Sequence, residues 1–178
     1  MADEVINRVA ASGLVVLDLR QFQPTTPPVV VDISAFLVQG LMLREKEFRA
    51  QVLHTDWSEY TGQTVCIGCS TDALVPYWAP LFVATQLRPY AASISTLPPA
   101  EWHLQQWVAN LQTTLDLASY AGKKVVLQAQ ATVPAELYVQ AGRLLLPVVA
   151  SLMCGEPGYA VPIYKQVIAG ARSAKDPS

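Results

Sequence analysis

The stretch Cys66-Ile-Gly-Cys69-Ser-Thr-Asp72 sets two thiols, two hydroxyls and a carboxylate within seven residues. Its C-x-x-C spacing is that of half a zinc site, which needs a second Cys or His pair at regular spacing. The remaining candidates, Cys154, His54 and His103, stand alone in the sequence, and neither histidine sits in an H-x-x-x-H, H-E-x-x-H or H-x-E pattern. Side chains alternate between the two faces of a strand, so Cys66 and Cys69 of a continuous strand point opposite ways. They chelate one ion only if Gly68 breaks that strand. Cys66 therefore reads as a small buried hydrophobe. Cys69 falls at the strand end, where the N-terminus of a following helix would lower a thiol pKa. Either it has a chemical role there, or it packs while Ser70 or Asp72 caps the helix.

A second stretch repeats the order of features around the first. Asp56, Tyr60, Gly62 and Val65 match Asp116, Tyr120, Gly122 and Val125, and each series runs through an apolar strand and a polar turn to Val-Pro, at Pro76 and at Pro134. Two similar strand–turn–helix units favour parallel strands in one sheet, joined by right-handed crossovers. Both polar turns would then lie at the carboxyl ends of the strands, where open α/β sheets bind ligands. Residues 68–74 and 128–132 are accordingly expected to converge on one crevice faced by two helix N-termini, a setting that favours an anion. The candidate ligand-binding residues are Cys69, Ser70, Asp72, Gln128, Gln130 and Glu136. A purely structural repeat is the competing reading. Cys69 and Cys154 are the weak candidates for metal. Cys154-Gly-Glu-Pro157 reads mainly as a helix end, with Gly155 as C-cap and Pro157 as the stop.

The elements that must position these residues follow from periodicity. Helices are expected over 3–11, 44–54, 75–90, 99–115 and 134–153, the last kinked at Pro147. Pro76 falls in a first turn, where a missing N–H costs nothing. Strands are expected over 14–19, 29–31, 64–69, 92–95, 124–129 and 161–164, the last an edge strand. Asp32 or Ser34 caps a short helix reaching Phe36 and Leu37. Trp57, Trp78, Trp102 and Trp107 read as core or interface anchors. The expected fold is α/β: a mixed, largely parallel sheet with helices packed on it, in a single domain over 1–170 with a disordered tail over 171–178.

Bulk properties narrow the function classes. The chain has 178 residues, 52% hydrophobic and 15% charged, with a net charge of -2. Lys and Arg form no run, so no nucleic-acid footprint is present. The most apolar window, residues 73–87, holds Pro76 and Pro80 and is too short to span a bilayer. The first residues carry two acids and no apolar h-region, unlike a secretory signal. Three cysteines make no disulfide framework, and a reducing cytoplasm follows. So few charges leave apolar surface for a partner, and a homo-oligomer, a dimer above all, is the simplest one. Neither a Gly-rich phosphate loop nor a G-x-S-x-G elbow occurs.

Several segments together resemble a known family. They are Glu4-Val-Ile-Asn-Arg-Val-Ala, Asp32-Ile, Gln39-Gly-Leu, Leu43-Arg-Glu-Lys-Glu-Phe-Arg, His54-Thr-Asp-Trp, Ala84-Thr-Gln-Leu-Arg-Pro-Tyr, Gly155-Glu-Pro and Val161-Pro-Ile-Tyr-Lys. From about residue 4 to residue 165 the chain resembles domain of unknown function family 2480, typical of the Bacteroidetes. The resemblance carries no catalytic residues with it. It implies an association with iron–sulfur cluster assembly genes, and hence a metal, sulfide or assembly-protein partner. Two thiols are too few for a cluster that usually takes four cysteines, unless a dimer shares the site.

Three readings follow. The first is a non-enzymatic cytoplasmic accessory protein that self-associates. The second is a small-molecule binder, or an enzyme using a thiol or hydroxyl at Cys69 or Ser70 in the same crevice. The third is a purely structural, oligomeric interaction protein. No cofactor is indicated.

Overall fold

The computed structural model describes residues 13–156 and 158–166. The helix expected over 3–11, Pro157 and the tail over 171–178 lie outside the described residues. The chain divides into two compact units. One is continuous, Pro24–Gln106, and the other is split, Met1–Gln23 with Trp107–Ser178. Among the described residues no helix is long and apolar enough to cross a membrane.

The continuous unit is built on three parallel strands in the order β2-β3-β4: β2 (Val29–Asp32), β3 (Thr64–Gly68) and β4 (Ser93–Ser95). Val29 lies opposite Val65, and Val65 opposite Ile94. The β-branched run at 29–31 and the apolar run at 65–67 make these strands, since such side chains fit a pleated surface. Helix α1 (Glu45–His54) buries Phe48 and Val52, four residues apart on one face. Helix α2 (Trp78–Leu87) buries Ala79, Val83 and Leu87 at the same spacing. Phe48 meets the Trp78 ring edge-on at 5.6 Å and the Phe36 ring at 6.0 Å. The Trp57 indole N–H, buried with this cluster, donates to the Val52 carbonyl at 2.9 Å.

The split unit holds four strands in the order β1-β5-β6-β7: β1 (Leu14–Leu17), β5 (Lys124–Gln128), β6 (Ser151–Gly155) and β7 (Val161–Lys165). The first three are parallel and β7 is antiparallel at the edge. Val15 lies opposite Val125, and Val125 opposite Leu152. Helix α3 (Pro99–Thr114) begins in the continuous unit and from Trp107 belongs to the split one. There it buries Trp107 and Leu111, and helix α4 (Ala135–Leu145) buries Leu137, Ala141 and Leu145.

The α/β class and the largely parallel strands match the sequence reading. Three expectations are corrected. The repeated strands β3 and β5 lie in two separate sheets, not in one. The helix expected over 134–153 stops at Leu145; Pro147, which has no N–H to donate, turns the chain, and the apolar run from Ser151 becomes β6 between β5 and β7. Cys154 and Gly155 are thus strand residues, not a helix end. The helix expected from Val75 begins only at Trp78, and the Pro76 carbonyl accepts from the Ala79 N–H at 3.0 Å. Pro80 falls in its first turn, where its missing N–H has no partner to lose.

Candidate functional site

The carboxyl ends of β2 and β3 lie side by side, with Asp32 paired in register with Gly68. Asp32 ends β2 and caps a 3-10 turn over Ile33–Phe36 by accepting from the Ser34 N–H at 2.9 Å. The chain leaving β3 folds back onto the same carboxylate. The Ser70 N–H donates to Asp32 Oδ1 at 3.0 Å, and the Ser70 hydroxyl donates to Oδ2 at 2.5 Å. Ser34 Oγ lies 3.2 Å from Ser70 Oγ. The Ser70 hydroxyl, followed by these backbone donors, holds the Asp32 carboxyl down at about 2, against the partial desolvation that opposes it. Asp32 is therefore ionised at any physiological pH.

A cleft of about 390 Å³ opens at this end of the sheet. Asp32, Cys69 and Ser70 supply polar atoms on its wall, and Val30, Leu97 and Pro98 supply apolar ones. Cys66 reaches the wall from within β3; burial pushes its thiol pKa up, as expected of a packed hydrophobe. Cys69 Sγ sits 3.4 Å from Thr71 Oγ1, whose hydroxyl donates to the Gly40 carbonyl at 2.5 Å. The 69–71 segment is thereby fastened to the loop after the Ile33–Phe36 turn. Helix α2 starts well beyond this segment, so Ser70 and Asp72 do not cap it and Cys69 does not stand at its N-terminus. Asp72 is exposed.

Of the candidates named from sequence, Cys69 and Ser70 line this cleft. Gln128, Gln130, Glu136 and Cys154 belong to the split unit. The Tyr138 hydroxyl accepts from the Gln130 N–H at 2.8 Å and donates to the Gln128 carbonyl at 3.2 Å, closing the turn after β5 on itself. Glu136 accepts from the Gln140 amide at 2.6 Å within α4. Cys154 lies in β6, its pKa raised by burial. Among the described residues no three His, Cys, Asp or Glu side chains gather as a metal site.

Asp32 is the site residue that sequence reasoning missed. The signal lies in a further stretch of the repeat. Val15-Val-Leu-Asp18-Leu-Arg-Gln-Phe22 aligns with Val29-Val-Val-Asp32-Ile-Ser-Ala-Phe36, and Leu87-Arg-Pro-Tyr-Ala-Ala-Ser-Ile94 with Leu145-Leu-Pro-Val-Val-Ala-Ser-Leu152. The first alignment equates Asp32 with Asp18, and the second marks β6 as a strand like β4.

No curated protein and no solved structure matches the chain. The profile of one family, described as protein of unknown function DUF2480, matches residues 3–166. With nearly its whole length matched, the chain belongs to domain of unknown function family 2480.

Proposed function

We propose that the chain is a non-enzymatic small-molecule-binding protein, and that its continuous unit receives the ligand at the carboxyl ends of β2 and β3. The carrying observation is the cleft in which the Asp32–Ser70 pair meets an apolar wall. Its volume falls in the range of small-ligand pockets, roughly 300–1,000 Å³, which are mainly apolar with a few fixed polar groups. Its position is where open parallel sheets take ligands.

The same geometry weighs against a hydroxyl-dependent enzyme. A general base works best with a pKa near the operating pH, and a carboxylate at about 2 is far too weak to draw a proton from Ser70. The Ser70 proton instead serves to hold the carboxylate in place. An accessory role in iron–sulfur assembly draws on the family resemblance alone, with Cys69 and Cys154 in different units.

The two units read as copies of one module. Six of the seven strand pairings of β2-β3-β4, all but Asp32 opposite Gly68, have their counterpart in β1-β5-β6 under the sequence alignment: Cys66 opposite Val30 and Ser95, Val126 opposite Val16 and Met153. Self-association belongs to the same reading, because Leu74, Tyr77 and Leu81 present apolar side chains to solvent in the continuous unit.

Gly68 provides the test. It lines the cleft, and a Cβ built on it meets no atom within 4 Å. Gly68→Val adds a branched apolar side chain at the cleft wall, and an unchanged thermal transition checks that the strand tolerates it. A mixture of uncharged, acidic and basic fragments, followed by amide shifts of the full chain, is expected to perturb Ser70 and Leu97 in the wild type and not in Gly68→Val. Equal shifts in both proteins, or shifts confined to other residues, overturn the reading.

A further inference from the structure

Each unit carries an aspartate at the carboxyl end of its first strand, and the two carboxylates keep different company. Asp18 follows β1 and accepts from the Arg20 N–H at 2.9 Å; Asp32 accepts from the Ser34 N–H at 2.9 Å. The backbone arrangement is the same, but the residue two positions on is arginine in one and serine in the other. Arg20 turns its guanidinium back onto Asp18, with Nε 3.1 and 3.0 Å from the two oxygens and its terminal nitrogen 2.6 Å from Oδ2. Asp32 has no cationic partner among the described residues.

The hydrogens around Asp32 can be assigned by counting donors. An ionised carboxylate only accepts, so the Ser70 proton goes to Oδ2. The Ser34 hydroxyl then spends its proton within the cluster, on Ser70 Oγ or on Asp32 itself. The Ser34 and Ser70 hydroxyl protons are thus committed inward. What Asp32 and Ser70 present to the cleft is a negative charge and unfilled lone pairs, flanked by Val30, Leu97 and Pro98.

We propose that the cleft binds an organic cation, a guanidinium or primary ammonium on a short apolar body, and that its charged group rests on Asp32 as the Arg20 guanidinium rests on Asp18. The proposal rests on the binding reading above and adds the ligand class. A guanidinium meets a carboxylate with paired N–H donors, which is the geometry Arg20 already shows. The apolar wall accounts for the body of the ligand. A hard metal ion is a poorer match, because calcium takes six to eight oxygen ligands and the cleft offers one carboxylate.

The experiment titrates the full chain with propylguanidinium, propylammonium, propionamide and propionate, following the amides of Gly68, Ser70 and Leu97. Both cations are expected to shift these amides and to bind about tenfold or more weakly in Asp32→Asn. Ser34→Arg supplies an internal guanidinium, as in the split unit. It is expected to keep the thermal transition of the wild type and to lose cation binding by a similar factor. Should Asp32→Asn fail to fold, Ser34→Arg decides alone. Cations that bind Ser34→Arg as well as the wild type overturn the proposal. Propionamide or propionate binding at these amides in place of the cations overturns the charge assignment and leaves the pocket standing. Silence from all four probes removes both.

Discussion

The Ser70 hydroxyl donates to the Asp32 carboxylate across the ends of two adjacent strands, 38 residues apart in the chain. This bond, with the Ser70 N–H beside it, fixes the path of the chain as it leaves β3 and so shapes one wall of the cleft. The site and the local fold are therefore held by the same atoms.

That coupling makes stability depend on acid. The Asp32 pKa is depressed from 3.8 to about 2 on folding, so its contribution is present above the unfolded value and is lost as pH falls through about 2. Urea denaturation between pH 5 and pH 2 is expected to show a falling midpoint for the wild type. Asp32→Asn is expected to be less stable by about 1 kcal/mol at pH 7, the usual worth of such a hydrogen bond, and to have a flatter acid limb. Parallel acid limbs in the two proteins would show that Asp32 does not carry the effect.

Gly62 and Gly122 give a second test, free of side-chain packing. Their φ angles are 72° and 68°, and a Cβ at either meets no atom within 4 Å. Each N–H reaches the carbonyl of the residue after a proline: Tyr90 at 2.9 Å for Gly62 and Val148 at 2.8 Å for Gly122. The change to Ala at either position is expected to destabilise by about 1–2 kcal/mol, through backbone conformation alone. Similar losses at the two sites are the expected outcome in thermal or urea unfolding. A loss at one site only would speak against equivalent turns.

How far the sequence discloses this arrangement depends on what kind of signal marks each part. The strands at 29–31, 64–68 and 124–128 are legible from β-branched and apolar runs, and α1 from the spacing of Phe48 and Val52. Ser151–Gly155 is not, because a short apolar run reads equally as helix or strand, and only Pro147 and the match to residues 87–94 point to a strand. Local similarity of β3 and β5 says nothing of which strands they join; each takes its partner from its own unit. Cys69 and Ser70 are legible because polar residues at a strand end stand out. Asp32 reads only as a cap, and its second role comes from a contact 38 residues away.

The thiols separate by environment. Cys66 is buried in β3 with a raised pKa, and Cys154 is partly buried with a raised pKa. Since the thiolate is the reacting form, labelling of native protein at pH 7.5 by a thiol reagent is expected to be slowest at Cys66. Cys69→Ala should remove a faster phase and leave the Cys66 rate unchanged. A Cys66 rate equal to that of the unfolded chain would contradict its packing.

Trp107 ties the turn after β1 to helix α3. Its side chain is 2% exposed, and its indole N–H donates to the Leu19 carbonyl at 2.9 Å. One turn on, the Asn110 amide donates to the Phe22 carbonyl at 3.0 Å. The 3-10 turn after β1, which carries Arg20 and Asp18, thus hangs from α3 by two side-chain bonds. Trp107→Phe keeps most of the apolar volume and leaves the Leu19 carbonyl without that donor, so a loss of about 1–3 kcal/mol is expected. Because the turn loses an anchor, amide exchange in residues 19–22 should rise beyond what the global loss explains. Uniform acceleration across the split unit would mean instead that Trp107 acts through core packing, with no particular hold on the turn that positions Asp18.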